Sequence, residues 1–88
     1  MAWTIDLSAP VSKRLARLHP TVRRRIISYL YDRVAAADDP RQSGLAMSGD
    51  RKGFWRYRIG DYRVVVEIID DMKMIVVVGV GPRQGIYK

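Results

Sequence analysis

Cysteine is absent from the sequence, histidine occurs once, and acidic residues are outnumbered nine to sixteen by lysine and arginine. The lack of cysteine rules out a disulfide framework and a thiolate nucleophile, and it suits a reducing cytosol. With one histidine and no acidic residues at ligand spacing, no metal constellation is expected, and no cofactor. No glycine loop of the phosphate-binding kind stands out. Apolar runs are short: the longest, MIVVVGVG at 74–81, falls far below the ~20 residues of a membrane-spanning helix. The first residues, MAWTIDLSAP, carry no basic region, and Asp6 interrupts their apolar stretch, so no signal peptide is expected.

What is present in excess is positive charge. The net charge is +7 and the pI is near 10.3. A small basic chain suits an anionic partner, either nucleic acid or an acidic protein. With 88 residues, 48% hydrophobic and 28% charged, residues 1–88 are expected to fold as one domain, without intrinsic disorder.

AWTIDL (2–7) alternates, with Trp3, Ile5 and Leu7 on one side, and predicts a short strand. Ser8 is placed to cap a helix whose first turn holds Pro10 and whose apolar positions are Val11, Leu15 and Leu18. His19-Pro20 breaks that helix, and Pro20 opens a second one. Its apolar stripe is Ile27, Leu30, Tyr31 and Val34, widened by Val22 and Ile26, with Arg23, Arg24, Arg25 and Arg33 mostly on the other side. Residues 38–53, DDPRQSGLAMSGDRKG, read as a loop. Three strands follow, FWRYRI, YRVVVEII and KMIVVVGV, separated by turns at Gly60-Asp61 and DDMK (70–73). The last is apolar on both faces and belongs inside the sheet. The expected architecture is α+β, in the order β-α-α-β-β-β, with two helices packed on one face of a small, mainly antiparallel sheet.

A turn at Gly60-Asp61 sets Ile59 against Tyr62, Arg58 against Arg63 and Arg56 against Val65. Arg56, Arg58, Arg63 and Glu67 then share one face, while Trp55, Tyr57, Ile59, Tyr62 and Val64 share the other, the core face. Opposed like charges are destabilising. Glu67 offsets one cation by pairing an arginine, which leaves a face suited to phosphates. Gly79, Gly81 and Arg83 share one parity, and Tyr87 follows in the tail.

These stretches, WRYRIGDYRVVVEI and then VVVGVGPRQGIY, resemble the RelE/ParE superfamily of toxins from bacterial toxin–antitoxin pairs. The likeness rests on an R-x-G-x-Y-R pattern at 58–63 and a G-x-R-x-x-x-Y pattern at 81–87, in an architecture that covers nearly the whole chain. The RelE-like branch is the better match. It implies a ribosome-dependent endonuclease that cleaves mRNA in the A site without a metal and is held inactive by a cognate acidic antitoxin in a heteromeric complex. By the resemblance, Arg63, Arg83 and Tyr87 match the catalytic arginines and tyrosine, and Arg56 and Arg58 stand where that branch has two lysines.

Such chemistry needs a base for the ribose 2′-OH, cations for the phosphorane, and a proton for the leaving 5′-oxygen. Tyr87 is the candidate base, with neighbouring cations favouring its phenolate. Arginine stays protonated, so Arg56 and Arg58 are poorer proton donors than lysine; Lys52 is placed to supply a proton. Lys52 and Arg51, with Arg23 and Arg24 on the second helix, are candidate contacts to mRNA or ribosomal RNA. His19 is not expected to act in catalysis. Two other readings remain: a ParE-like toxin that inhibits DNA gyrase without cutting RNA, and a non-catalytic basic RNA-binding module.

Overall fold

A computed structural model of the protein describes residues 3–82, the side chain of Arg51 excepted. Strand β1 (Thr4–Leu7) leads to helices α1 (Ala9–Ala16) and α2 (Pro20–Tyr29), followed by strands β2 (Leu45–Ala46), β3 (Phe54–Ile59), β4 (Tyr62–Ile69) and β5 (Met74–Pro82). The sheet order is β1-β5-β4-β3-β2. Only β1 and β5 run parallel; the other neighbours are antiparallel. Parallel partners need a long crossover, and here everything between β1 and β5 forms it. The last strand lies inside the sheet, flanked by β1 and β4.

Both helices cover one sheet face. Val11 and Leu15 of α1 and Ile26 of α2, with Leu30 and Val34 just beyond it, pack on Tyr57, Ile59, Val64, Val66, Ile75, Val77 and Val80. Among the described residues no polar or charged residue is buried. Each such aliphatic contributes about 1.5–3 kcal/mol relative to exposure. Among the described residues, no helix is long and apolar enough to cross a membrane.

Ser8 occupies the cap position of α1, but its hydroxyl is enclosed and makes no capping bond. The residue instead ends β1: its N–H donates to the Val77 carbonyl at 3.2 Å, so strand geometry rather than capping sets it. His19 caps α2, its Nδ1 accepting from the Thr21 N–H at 3.1 Å. A five-residue π turn, Leu30–Val34, extends α2, and the Ala35 N–H donates to Leu30 O at 2.8 Å. Ile26, Leu30 and Val34 then form the buried line, and Tyr31, expected on it, is 50% exposed. Tyr29 turns toward the sheet in its place, 6.3 Å from the Tyr57 ring.

The expected loop at 38–53 is more ordered than its composition suggests. It holds two 3₁₀ turns (Pro40–Ser43 and Gly49–Arg51) and the two-residue β2, which pairs Leu45 with Arg56 and Ala46 with Trp55. Long-range anchors replace the missing periodicity. The Tyr57 hydroxyl donates to Pro40 O at 2.6 Å. Gly44 lies so close to the Tyr57 ring that a Cβ there would sit 2.8 Å from it. Arg41 donates to Asp39 at 3.2 Å and Asp70 at 2.6 Å, and stacks 5.9 Å from the Trp55 ring.

Candidate nucleic-acid interface

The β3–β4 hairpin turns on Gly60, whose φ of 61° a side chain would oppose. Its register pairs Ile59 with Tyr62, Arg58 with Arg63, Arg56 with Val65 and Phe54 with Glu67. Alternation therefore sends Tyr57, Ile59 and Val64 to the helices and Arg56, Arg58 and Arg63 to the opposite face. Trp55 packs against the core, as its parity requires.

Strand β5 completes this face through an irregularity that the sequence did not announce. Val66 pairs with Val77, but Val65 pairs with Gly79, so Val78 is an extra residue in β5. A bulge of this kind shifts the parity of everything beyond it. Without it Arg63 would stand opposite Val80; with it Arg63 pairs with Gly81, and Val80 stays in the core. Two rows result: Arg58, Arg63, Gly81, and beside it Arg56, Val65, Gly79. Guanidiniums flank positions without side chains; Gly79 is half-buried, and Gly81 is buried with Arg14 close to it. Val65 is 2% exposed although it lies on this outer face, so the floor of the patch is closed.

Arg58 is exposed. Arg56 and Arg63 are half-buried, each engaged with its surroundings, and their Nε atoms are withdrawn from solvent. Like charges opposed across strands cost stability. The expected relief from Glu67 does not occur: it stands across from Phe54 and, among the described residues, forms no ion pair. At the free edge of β5, Arg14 donates to Val80 O at 3.1 Å, and its Nη1 would lie 3.1 Å from a Cβ on Gly81.

The other candidates are scattered. Arg23 is half-buried and donates to Leu18 O at 3.3 Å, closing the end of α1. Arg24 is exposed on α2, on the helical side of the sheet rather than the arginine face. Lys52 is exposed just before β3. Arg51 ends a 3₁₀ turn, and its side chain lies outside what is described. Arg83 and Tyr87 also lie outside the described residues. Among the tyrosines inside it, Tyr57 is unsuited to act as a base, because burial pushes its hydroxyl up to about 12. Among the described residues no cluster of three or more His, Asp or Glu exists to hold a metal.

The sequence offers Arg25 only as part of the RRR run at 23–25 that could touch RNA, and gives Arg33 no site role. Both line a cleft with Arg58, where α2 and its π extension meet the hairpin tip. Their joint signal is tertiary, since 33 residues separate Arg25 from Arg58 along the chain.

Comparison with known proteins agrees with this fold. No curated protein matches the chain significantly in sequence. Solved structures do match. The RelBE2 toxin–antitoxin complex of Mycobacterium tuberculosis aligns with a TM-score of 0.85 at 19% identity, over 94% of this chain and 93% of that one. A free mutant of the Escherichia coli toxin RelE gives 0.80 at 24% identity, over 98% and 88%. The RelE–RelB complex of Pyrococcus horikoshii gives 0.74 at 27% identity, over 97% and 99%. The family model for the ParE toxin of type II toxin–antitoxin systems matches residues 5–87. The chain is therefore a toxin of the RelE/ParE superfamily, belonging to the ParE toxin family by sequence and RelE-like in fold.

Proposed function

We propose that this type II toxin is a metal-independent endoribonuclease that cuts mRNA on the ribosome. The observation that carries the reading is the row Arg58, Arg63, Gly81, with two guanidiniums beside a position that has no side chain. The guanidiniums favour the extra negative charge of a phosphodiester's pentacoordinate state. In the proposed reaction the ribose 2′-oxygen loses its proton to Tyr87 and attacks the adjacent phosphorus. Arg63 and Arg83 hold the charged phosphorane, with Arg56 and Arg58 adding positive field. The bond to the 5′-oxygen breaks, and that oxygen takes a proton from Lys52 or water. The products are a 2′,3′-cyclic phosphate and a 5′-hydroxyl.

The partner that silences the toxin is an acidic antitoxin. Similar folds in Mycobacterium tuberculosis and Pyrococcus horikoshii were solved as complexes with antitoxins, and a net charge of +7 favours an acidic partner.

A second reading, inhibition of DNA gyrase without RNA cleavage, is favoured by the matching family model, which describes ParE toxins. One experiment separates the two. Purified toxin is added to ribosomes translating a defined mRNA, new 5′ ends are mapped, and gyrase supercoiling is assayed in parallel. Cuts in A-site codons with normal supercoiling support the nuclease. Inhibited supercoiling with intact mRNA assigns the second reading, and no effect on either rejects both.

A further inference from the structure

Among the described residues, β2 pairs with β3 at Trp55 and Arg56, and no strand pairs with the outer edge of β3 from Tyr57 to Ile59. There, between α2 and the hairpin tip, lies a cleft of about 270 Å³ lined by Arg25, Tyr29, Arg33, Arg58, Ile59 and Gly60. Three arginines line it, Arg25 and Arg33 from α2 and its π extension and Arg58 from β3. Arg33 is steadied over the Tyr29 ring at 5.8 Å, and Arg25 lies against Gly60, where a Cβ would come within 3.1 Å of its Nη1. No carboxylate of the described residues pairs with any of the three, although Asp61 is exposed in the adjacent turn. Holding like charges together without a counter-ion is unfavourable, and a bound anion removes that cost.

We propose that this cleft is a second phosphate site, distinct from the sheet face, that holds a backbone phosphate of the RNA. A backbone phosphodiester presents two non-bridging oxygens that are not coplanar with its ester oxygens and can accept from forks on different sides; a planar carboxylate suits one fork. Arg58 belongs to both places. Its register partner, Arg63, sits on the sheet face, while Arg58 itself lines the cleft. A polymer with repeating phosphates spans the two, and an isolated anion does not. The inference takes from the proposed function only that the polymer is RNA.

The test measures binding without cleavage. A 2′-O-methyl RNA oligonucleotide lacks the attacking hydroxyl, so its affinity for the full-length toxin is independent of nuclease activity. Affinity is measured across a salt series for wild type, Arg25→Gln/Arg33→Gln, and the charge-matched control Lys13→Gln/Lys73→Gln. Both control residues are exposed and line no part of the cleft. Loss of one phosphate contact lowers the slope of log K against log salt by about 0.7 for single strands. The site predicts that drop in the cleft variant and an unchanged slope in the control. Equal losses in both reduce the effect to net charge and overturn the proposal. An unchanged RNA slope with weakened binding of polyglutamate overturns it in favour of a carboxylate dock. Thermal melting of both variants confirms that they are folded. A wild type that binds this RNA yet leaves mRNA uncut rejects the nuclease reading and leaves the cleft standing.

Discussion

The two faces of the β3–β4 hairpin are built from the same twelve or so residues and obey opposite rules. On the helix side, Tyr57 and Val64 are 1% and 0% exposed, both belong to the apolar core, and the Tyr57 hydroxyl donates to Pro40 O. On the other side, Arg58 and Arg63 oppose each other with no acidic residue in their row. The first face minimises free energy. The second sets two like charges opposite each other, a local cost that the core face does not carry. Strand alternation lets both coexist, because each residue on one face is insulated from its neighbours by the sheet itself. The difference teaches that strand alternation lets a cationic row sit on the back of an ordinary apolar core face.

Substitutions that disturb one face should leave the other largely unaffected. The largest effect is expected from Tyr57→Ala, which empties a core position and releases the Pro40 carbonyl; about 3–5 kcal/mol of stability should be lost, read by urea denaturation. Tyr57→Phe keeps the ring and leaves that carbonyl without its donor, for a loss of about 1–3 kcal/mol.

The same hydroxyl predicts an alkaline effect. Its pKa is pushed up to about 12, first by burial and then by Tyr29, above an unfolded value of about 10. The unfolded chain therefore releases its proton first. Stability from this group is complete below pH ~10 and is lost as pH rises toward 12, on the order of 2 kcal/mol. Wild type should converge on Tyr57→Phe across that window. Parallel denaturation curves at every pH would show that the hydroxyl is not shielded.

The smallest effect is expected on the other face and has the opposite sign. Arg58→Gln removes half of an opposed like-charge pair, so it should stabilise the fold by a few tenths to about 1 kcal/mol, more at low salt. A destabilised variant would mean that the pair is not under repulsion.

Much of this contrast is legible in the sequence because it depends on local rules. Gly60-Asp61 fixes the turn, the turn fixes the register, and alternation sorts Arg58 and Arg63 from Tyr57 and Val64. What escapes is non-local. The run VVVGVG carries no parity of its own, so the bulge at Val78 that brings Gly79 and Gly81 to the arginine face is invisible there. Leu45 and Ala46 are a strand only because β3 offers them an edge. Tyr31 leaves the helical stripe because a π turn adds a residue to the final turn. Arg25 and Arg33 become neighbours of Arg58 only after α2 docks beside the hairpin tip.

The claim that the arginine face performs chemistry while the other face performs folding is tested most directly by Arg63→Ala. Its single-turnover rate of mRNA cleavage on programmed ribosomes should be measured beside its thermal melting. The account predicts a rate about 10²–10³ below wild type from a variant that still melts cooperatively and well above the assay temperature. Cleavage at the wild-type rate, or a loss of activity explained by a matching loss of stability, would contradict it.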